Sequence, residues 1–401
     1  MVAPKSAKSI LILSYSDLSR DARLIRQINF LKDEYCLSAA ANVPLEGIQM
    51  PFYQLESKNT LSIRFYYKYP MLIRKLFAFC ALMFLRILRW IKGYWPYLRY
   101  WVNDGPLTLK RKLKNIHFDY IIANDIETLP LALQLAKGGG RVVFDAHEYH
   151  PEELENDPHW VRYDKPYIQW LCRKYIPKAD LMMTVCEGIA ERYEREYGQK
   201  CLVLTNAGNY RKLKPSQLNG QIRLIHHGAC SRIRNIECMI YLMDFLDEDY
   251  CLDLMLVPMP EQEGYYKEIV ELCRSRENVC VIPPVATEKI PEATNSYDIG
   301  LFLLPPGNFS YLHALPNKFF EYVQARLCIA IGPSPEMMKY VNKFELGVVS
   351  ESFSPEQLAR DLKMLSREQI LQFKCNADKA AEILSASTNQ QILSDAIMSI
   401  A

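Results

Sequence analysis

The 401-residue chain has no C-x-x-C pair and no dense cysteine cluster; its twelve cysteines are spread from Cys36 to Cys375. That spacing excludes the disulfide framework of a small secreted scaffold and predicts reduced, mostly buried thiols. An excess of one charge is also missing. With 48 basic against 46 acidic side chains the formal net charge is only +2, so bulk charge gives no footprint of a nucleic-acid binder. Near the N-terminus the only apolar run, Ile10 to Leu13, has four residues, too short for a signal-peptide core and suited to a first strand. A cytoplasmic protein is therefore expected. The sequence also lacks a G-x-G-x-x-G fingerprint and a Walker lysine, so neither common nucleotide-binding motif is available.

What is present is ordinary globular material. Hydrophobic residues make up 49% and charged residues 23%, which leaves no room for a disordered chain. A length of 401 residues exceeds what one hydrophobic core usually spans, so two domains are expected. Short apolar runs ending in polar residues alternate with helical stretches: SILILSYSD (9–17), FDYIIAND (118–125), RVVFDAHE (141–148), ADLMMTVCE (179–187) and KCLVLTNAG (200–208). The rhythm restarts with IRLIHHGA (222–229), CLDLMLVP (251–258), VCVIPP (279–284), YDIGLFLLPP (297–306) and LCIAIGPS (327–334). Runs apolar on both faces and separated by helices predict parallel sheets covered on both sides. The expected fold is α/β with two Rossmann-like domains facing each other across a cleft: 1–208, a linker at 209–221, and 222–380, with a C-terminal helix at 381–401 packing back on the first domain.

One segment breaks the rhythm. Residues 71–102 are apolar and aromatic, with Arg74, Lys75, Arg86, Arg89, Lys92 and Arg99 and no acid. Their longest uncharged run, Leu76 to Leu85, is half of the ~20 residues a bilayer span needs. A basic helix rich in Trp, Tyr and Phe can lie in the membrane interface with its cations on anionic headgroups. A helix packed on the sheet with solvated cations and a dimer interface are the alternatives.

In open α/β sheets ligands bind beyond the carboxyl ends of the strands. The polar residues there are Ser14 to Asp21, Asn124 and Asp125, Asp145 to Glu148, Asn206, and the stretch from His226 to Arg234. In HHGACSRIRNIE, Gly228 allows close approach, and Arg232 and Arg234 stand where a strand gives way to a helix, a suitable anion site. In HALPNKFFEYVQARLCIAIG, the amides of Asn317 and Lys318 open a helix, and Glu321, one turn deeper, can accept from two adjacent hydroxyls. His147 and His150 flank Glu148, but H-E-x-H is no zincin motif and two nitrogens three apart do not make a metal site; none is expected.

Together these segments resemble the GT-B-fold glycosyltransferases, and glycosyltransferase family 4 in particular. LPNKFFEYVQARLCIAIG is similar to that family's donor-site helix, and SDLSRDARLIRQINFL, ANDIETLPLALQLA, VVFDAHEYHPE and HHGACSRIRNIE match further segments in order. In the last of these Asn235 replaces the usual Gly. The resemblance implies that Arg232 and Arg234 bind the donor diphosphate, that Asn317 and Lys318 stand at its phosphate end, that Glu321 holds the nucleotide ribose and that His147 faces the donor sugar. The family's second glutamate, eight residues before Glu321, is here His313, a candidate for contact with the sugar or a phosphate. Asp17, Asp21, Asn124, Asp125 and Glu148 are candidates for the acceptor side.

The implied reaction moves a sugar from a nucleotide diphosphate sugar, UDP- or GDP-linked, to an acceptor hydroxyl, with retention and without a metal or other cofactor. A glycan or lipid-linked acceptor, with 71–102 on the inner face of the cell membrane, places it in bacterial cell-surface polysaccharide assembly. A GT-B-fold nucleotide-sugar 2-epimerase, a non-catalytic relative docked at the membrane and an inverting transferase are the competing readings. Oligomeric state is left open.

Overall fold

The computed structural model describes residues 8–19, 21–55, 94–101 and 104–400. Two compact units share the chain: one comprises Met1–Thr184, Ala190–Leu202 and Ser394–Ala401, the other Val185–Ile189 and Val203–Leu393. The segment at 71–102 lies outside the described residues except for helix Tyr94–Trp101. There Arg99 pairs with Asp164 and stacks over Tyr167 at 4.1 Å.

The first unit is built on a seven-stranded sheet: β1 (Ser9–Leu13), β2 (Cys36–Ala41), β3 (Phe52–Gln54), β4 (Tyr120–Asn124), β5 (Arg141–Ala146), β6 (Leu181–Thr184) and β7 (Cys201–Val203), in the order β3-β2-β1-β4-β5-β6-β7. Pairings from β3 through β6 are parallel. Ile10 to Leu13, Ile121, Ile122 and Val143 are completely or almost completely buried, as a sheet covered on both faces requires. Helix Ala22–Leu31 starts because the Asp21 carboxylate accepts from the Arg23 and Leu24 amides at 3.0 and 3.2 Å, satisfying two donors that a helix start leaves without intrahelical partners. Strands β2 and β3 were not expected from the sequence. CLSAAA carries mostly small side chains of low strand propensity, and its strand conformation comes from parallel pairing with β1.

The second unit carries a six-stranded, all-parallel sheet: β8 (Ile222–Ala229), β9 (Tyr250–Val257), β10 (Val279–Ile282), β11 (Ile299–Phe302), β12 (Cys328–Ile331) and β13 (Gly347–Val349), in the order β10-β9-β8-β11-β12-β13. Helix Asn317–Gln324 buries Phe319, Phe320, Tyr322 and Val323. Tyr322 fits because Gly300 on β11 has no side chain; a Cβ there would come within 2.4 Å of its ring. Residues 209–221 lie against this unit: Arg326 donates to Arg211 O at 2.7 Å, and the buried Lys374 ammonium donates to Ser216 Oγ at 2.8 Å and to Asp298 at 3.1 Å.

In each sheet the chain leaves the centre in one direction and returns to extend it in the other. The reversal falls between β1 and β4 in the first unit and between β8 and β11 in the second. A crevice opens at such a point because the two flanking connections depart to opposite faces.

Candidate functional site

The crevice of the first unit has a volume of about 240 Å³ and is lined by Tyr15 and Ser16 after β1, by Asn124 at the end of β4 and by Asp125, Glu127 and Thr128 beyond it. Asp125 has φ of 68°, a left-handed conformation that Asp tolerates better than most side chains. Behind it Asp145, fully buried, is gripped through both oxygens by the Arg23 guanidinium (2.7 and 2.6 Å) and accepts from Gln27 Nε2. Burial alone would raise its pKa; the Arg23 and His147 charges outweigh it and hold the carboxyl well below the usual range.

His147 sits between these carboxylates, with Nε2 3.4 Å from Asp145 Oδ2 and Nδ1 3.7 Å from Asp125 Oδ1. Its burial opposes the charged form, but Asp125 and Asp145 raise its pKa above the ordinary value. His150 is the more extreme case. It is 3% exposed, and its Nδ1 donates to Glu153 Oε2 at 3.2 Å. Burial lowers its pKa, yet Glu153, Asp125 and Glu127 carry it up to about 9. Burial raises the half-buried Glu127 carboxyl, and desolvation with Glu153 pushes Glu148 up to about 6 although its side chain reaches the surface. Asp17 and Asp21 serve the backbone: Asp17 accepts from the Ser19 amide and hydroxyl, and Asp21 caps its helix. The sequence reading quoted Arg23 and Gln27 only within the SDLSRDARLIRQINFL segment and assigned no role to them or to Glu127. The four-residue spacing of Arg23 and Gln27 on one helix face was the available signal.

The crevice of the second unit, about 230 Å³, brings together His227 and Gly228 at the end of β8 and Arg234 beyond it with Pro316 and with Asn317, Lys318 and Glu321 of helix Asn317–Gln324. Its other wall is largely apolar: Met255 and Val257 from β9, then Pro284, Val285, Thr287 and Ile290. Arg234 ends a short turn closed by Asn235 in the left-handed conformation, φ 46°. That conformation accounts for Asn at a position where Gly is the usual choice. Gly228, at φ +128°, leaves space for the cations: a Cβ there would lie 3.2 Å from an Arg234 nitrogen and 3.4 Å from Lys318 Nζ.

Lys318 is 6% exposed and its Nζ lies 3.1 Å from His226 Nε2 and 4.5 Å from the Phe302 ring centroid. Burial and the neighbouring Arg234 push its pKa well below the ordinary value, with Glu321 opposing. Helix Asn317–Gln324 begins at Pro316 with no side-chain cap, and a helix N-terminus favours an anion through its amides and dipole.

Arg232 and His313 do not line this crevice. Arg232 pairs with Glu268 at 2.6 Å and lies over the Tyr265 ring. His313 donates from Nδ1 to Glu336 Oε1 at 3.0 Å, a carboxylate 1% exposed that also accepts from Lys339 at 3.1 Å. Sequence reasoning met His227 only within the stretch from His226 to Arg234 and did not single out Glu336. Their neighbours in space come from other strands and loops, and no spacing encodes that.

No family model matches the sequence, and no curated protein matches it either. Solved structures do. HepE from Anabaena in complex with UDP is 12% identical, with 98% of this chain and 100% of that chain covered and a TM-score of 0.70. The complex of HepE with UDP-glucose is 13% identical over 98% of this chain and 99% of that one, TM-score 0.68. Sucrose-phosphate synthase from Thermosynechococcus elongatus is 10% identical over 98% and 99%, TM-score 0.65. Likeness at this level of identity is likeness of fold, and with the two parallel, doubly wound sheets it gives the chain the GT-B fold.

Proposed function

We propose that the protein is a glycosyltransferase that moves a sugar from a nucleotide diphosphate sugar to an acceptor hydroxyl. One observation carries the reading: Arg234, Lys318 and the uncapped start of helix Asn317–Gln324 converge on one crevice, with Glu321 a turn deeper and an apolar wall opposite. The cations and amides suit a diphosphate, Glu321 suits a ribose diol, and the apolar wall suits a base. The complexes of HepE with UDP and with UDP-glucose support the same reading.

As the bond from the anomeric carbon to the phosphate oxygen breaks, negative charge grows on the departing diphosphate. Arg234, Lys318 and the helix amides stabilise that charge electrostatically. The acceptor attacks from the face the phosphate leaves, and the departing phosphate oxygen takes its proton, so configuration is retained and no metal is required. Acceptor binding falls to the first unit, where Asp125 and Glu127 offer carboxylates to a hydroxyl. The acid-free basic aromatic segment 71–102, which belongs to the first half of the chain as the acceptor side does, favours a lipid-linked or cell-envelope glycan as acceptor and a peripheral position at the membrane.

The test is a thermal-shift panel of nucleotide sugars on the wild type, Arg234→Ala and Glu321→Ala. Stabilisation by a UDP- or GDP-sugar that both variants lose is expected. A wild type that no nucleotide sugar stabilises would sink the assignment.

A further inference from the structure

Near its end strand β8 carries two adjacent histidines whose ring nitrogens are differently engaged. His226 Nδ1 donates to Leu301 O at 3.0 Å, which leaves its Nε2 to accept from Lys318 Nζ at 3.1 Å. Both of its nitrogens are engaged inside the protein. His227, on the other face of the strand, is 3% exposed, lines the crevice and packs edge-on against the Tyr322 ring at 5.2 Å. Its Nε2 is buried and has no hydrogen-bond partner among the described residues; the nearest carboxylate oxygen, Glu321 Oε2, is 3.5 Å away.

Buried polar atoms are nearly always satisfied, so an orphaned nitrogen in a crevice wall points to a ligand group. Burial, with Lys318 and Arg234 nearby, keeps the His227 ring neutral. An ion pair with Glu321 is therefore not its role. A neutral ring protonated on Nε2 donates one hydrogen bond, and an ionised carboxylate only accepts. The group that serves both is one that accepts from the imidazole and donates to the carboxylate. A hydroxyl does this; a phosphate oxygen only accepts and is repelled by Glu321, and an apolar group does neither.

We propose that His227 Nε2 and Glu321 hold one ribose hydroxyl between them, which makes His227 the residue that selects ribonucleotides over deoxyribonucleotides. The inference rests on the donor-site reading above and adds a specificity determinant to it.

The experiment is calorimetric titration of the full chain with UDP and GDP, then with the 2′-deoxy and 3′-deoxy forms of whichever binds. The wild type is expected to bind the ribonucleotide about tenfold or more tightly than one of the deoxy forms, the cost of an unmade buried hydrogen bond. His227→Phe keeps the ring against Tyr322 but loses the donor, and should bind ribo and deoxy forms within about threefold. His227→Gln restores an N–H donor and should recover part of the discrimination. Equal binding of all forms by the wild type overturns the proposal, as does full discrimination by His227→Phe. If melting shows that His227→Phe has not folded, the wild-type series and His227→Gln decide. Failure of both UDP and GDP to bind the wild type would remove the donor-site reading itself, and this inference with it.

Discussion

Lys318 Nζ lies 3.1 Å from His226 Nε2, and the His226 Nδ1–H bond to Leu301 O fixes which nitrogen of the ring receives it. A lysine buried against an imidazole, with a second cation beside it, is held below its ordinary pKa by desolvation and by Arg234. The crevice therefore has an unmet demand for negative charge, which a diphosphate supplies.

Proton uptake on nucleotide binding follows. A diphosphate favours the ammonium form of Lys318, so its pKa rises in the complex and protons enter over the pH range between the free and bound values. Titrating UDP or GDP in two buffers of different ionisation enthalpy should give different observed heats, with the sign of uptake. Lys318→Met should abolish the difference and weaken binding about tenfold or more. Equal heats in both buffers would exclude the coupling.

His150 gives stability a pH dependence. The folded protein holds its proton more tightly than the unfolded chain, with a pKa of about 9 against 6.5. Its contribution is therefore complete below pH ~6.5 and is lost as pH rises through about 9, amounting to at most about 3 kcal/mol. Urea melts across that range should show the decline. His150→Phe, which keeps the ring stacked near Phe144, should lack it.

Asp145 and Arg23 stand or fall as a pair. Asp145→Ala removes the carboxylate that the 8% exposed Arg23 guanidinium grips through both oxygens and should cost about 3–5 kcal/mol. The double variant Arg23→Met, Asp145→Leu should be clearly less destabilised than the sum of its single changes, read from denaturation midpoints. Additive losses would mean that the two side chains act independently.

Gly300→Ala should perturb the donor crevice from behind. The added methyl meets the Tyr322 ring at 2.4 Å and forces the ring or its helix to move, at about 1–3 kcal/mol. Because Asn317, Lys318 and Glu321 ride on that helix, nucleotide affinity should fall together with the melting temperature. A variant with unchanged melting and affinity would show that the helix adapts at no cost.

The strands with continuous apolar runs, from SILIL to CIAI, were legible because burial on both faces leaves a local hydrophobic signature. Strand β2 was not, since Ala39, Ala40 and Ala41 adopt strand geometry only beside β1. The sequence by itself determined two parallel-sheet halves and put polar residues at the strand ends, and the Asn317–Glu321 stretch was recognisable from its pattern alone. Only the tertiary structure decided which of them meet. Arg234 reaches the crevice while Arg232, two residues away, turns to Glu268; His226 bonds Leu301 while His227 faces Glu321. Adjacent residues on a strand point to opposite faces, and turn geometry separates near neighbours, so function here depends on partners from other strands that no local spacing specifies.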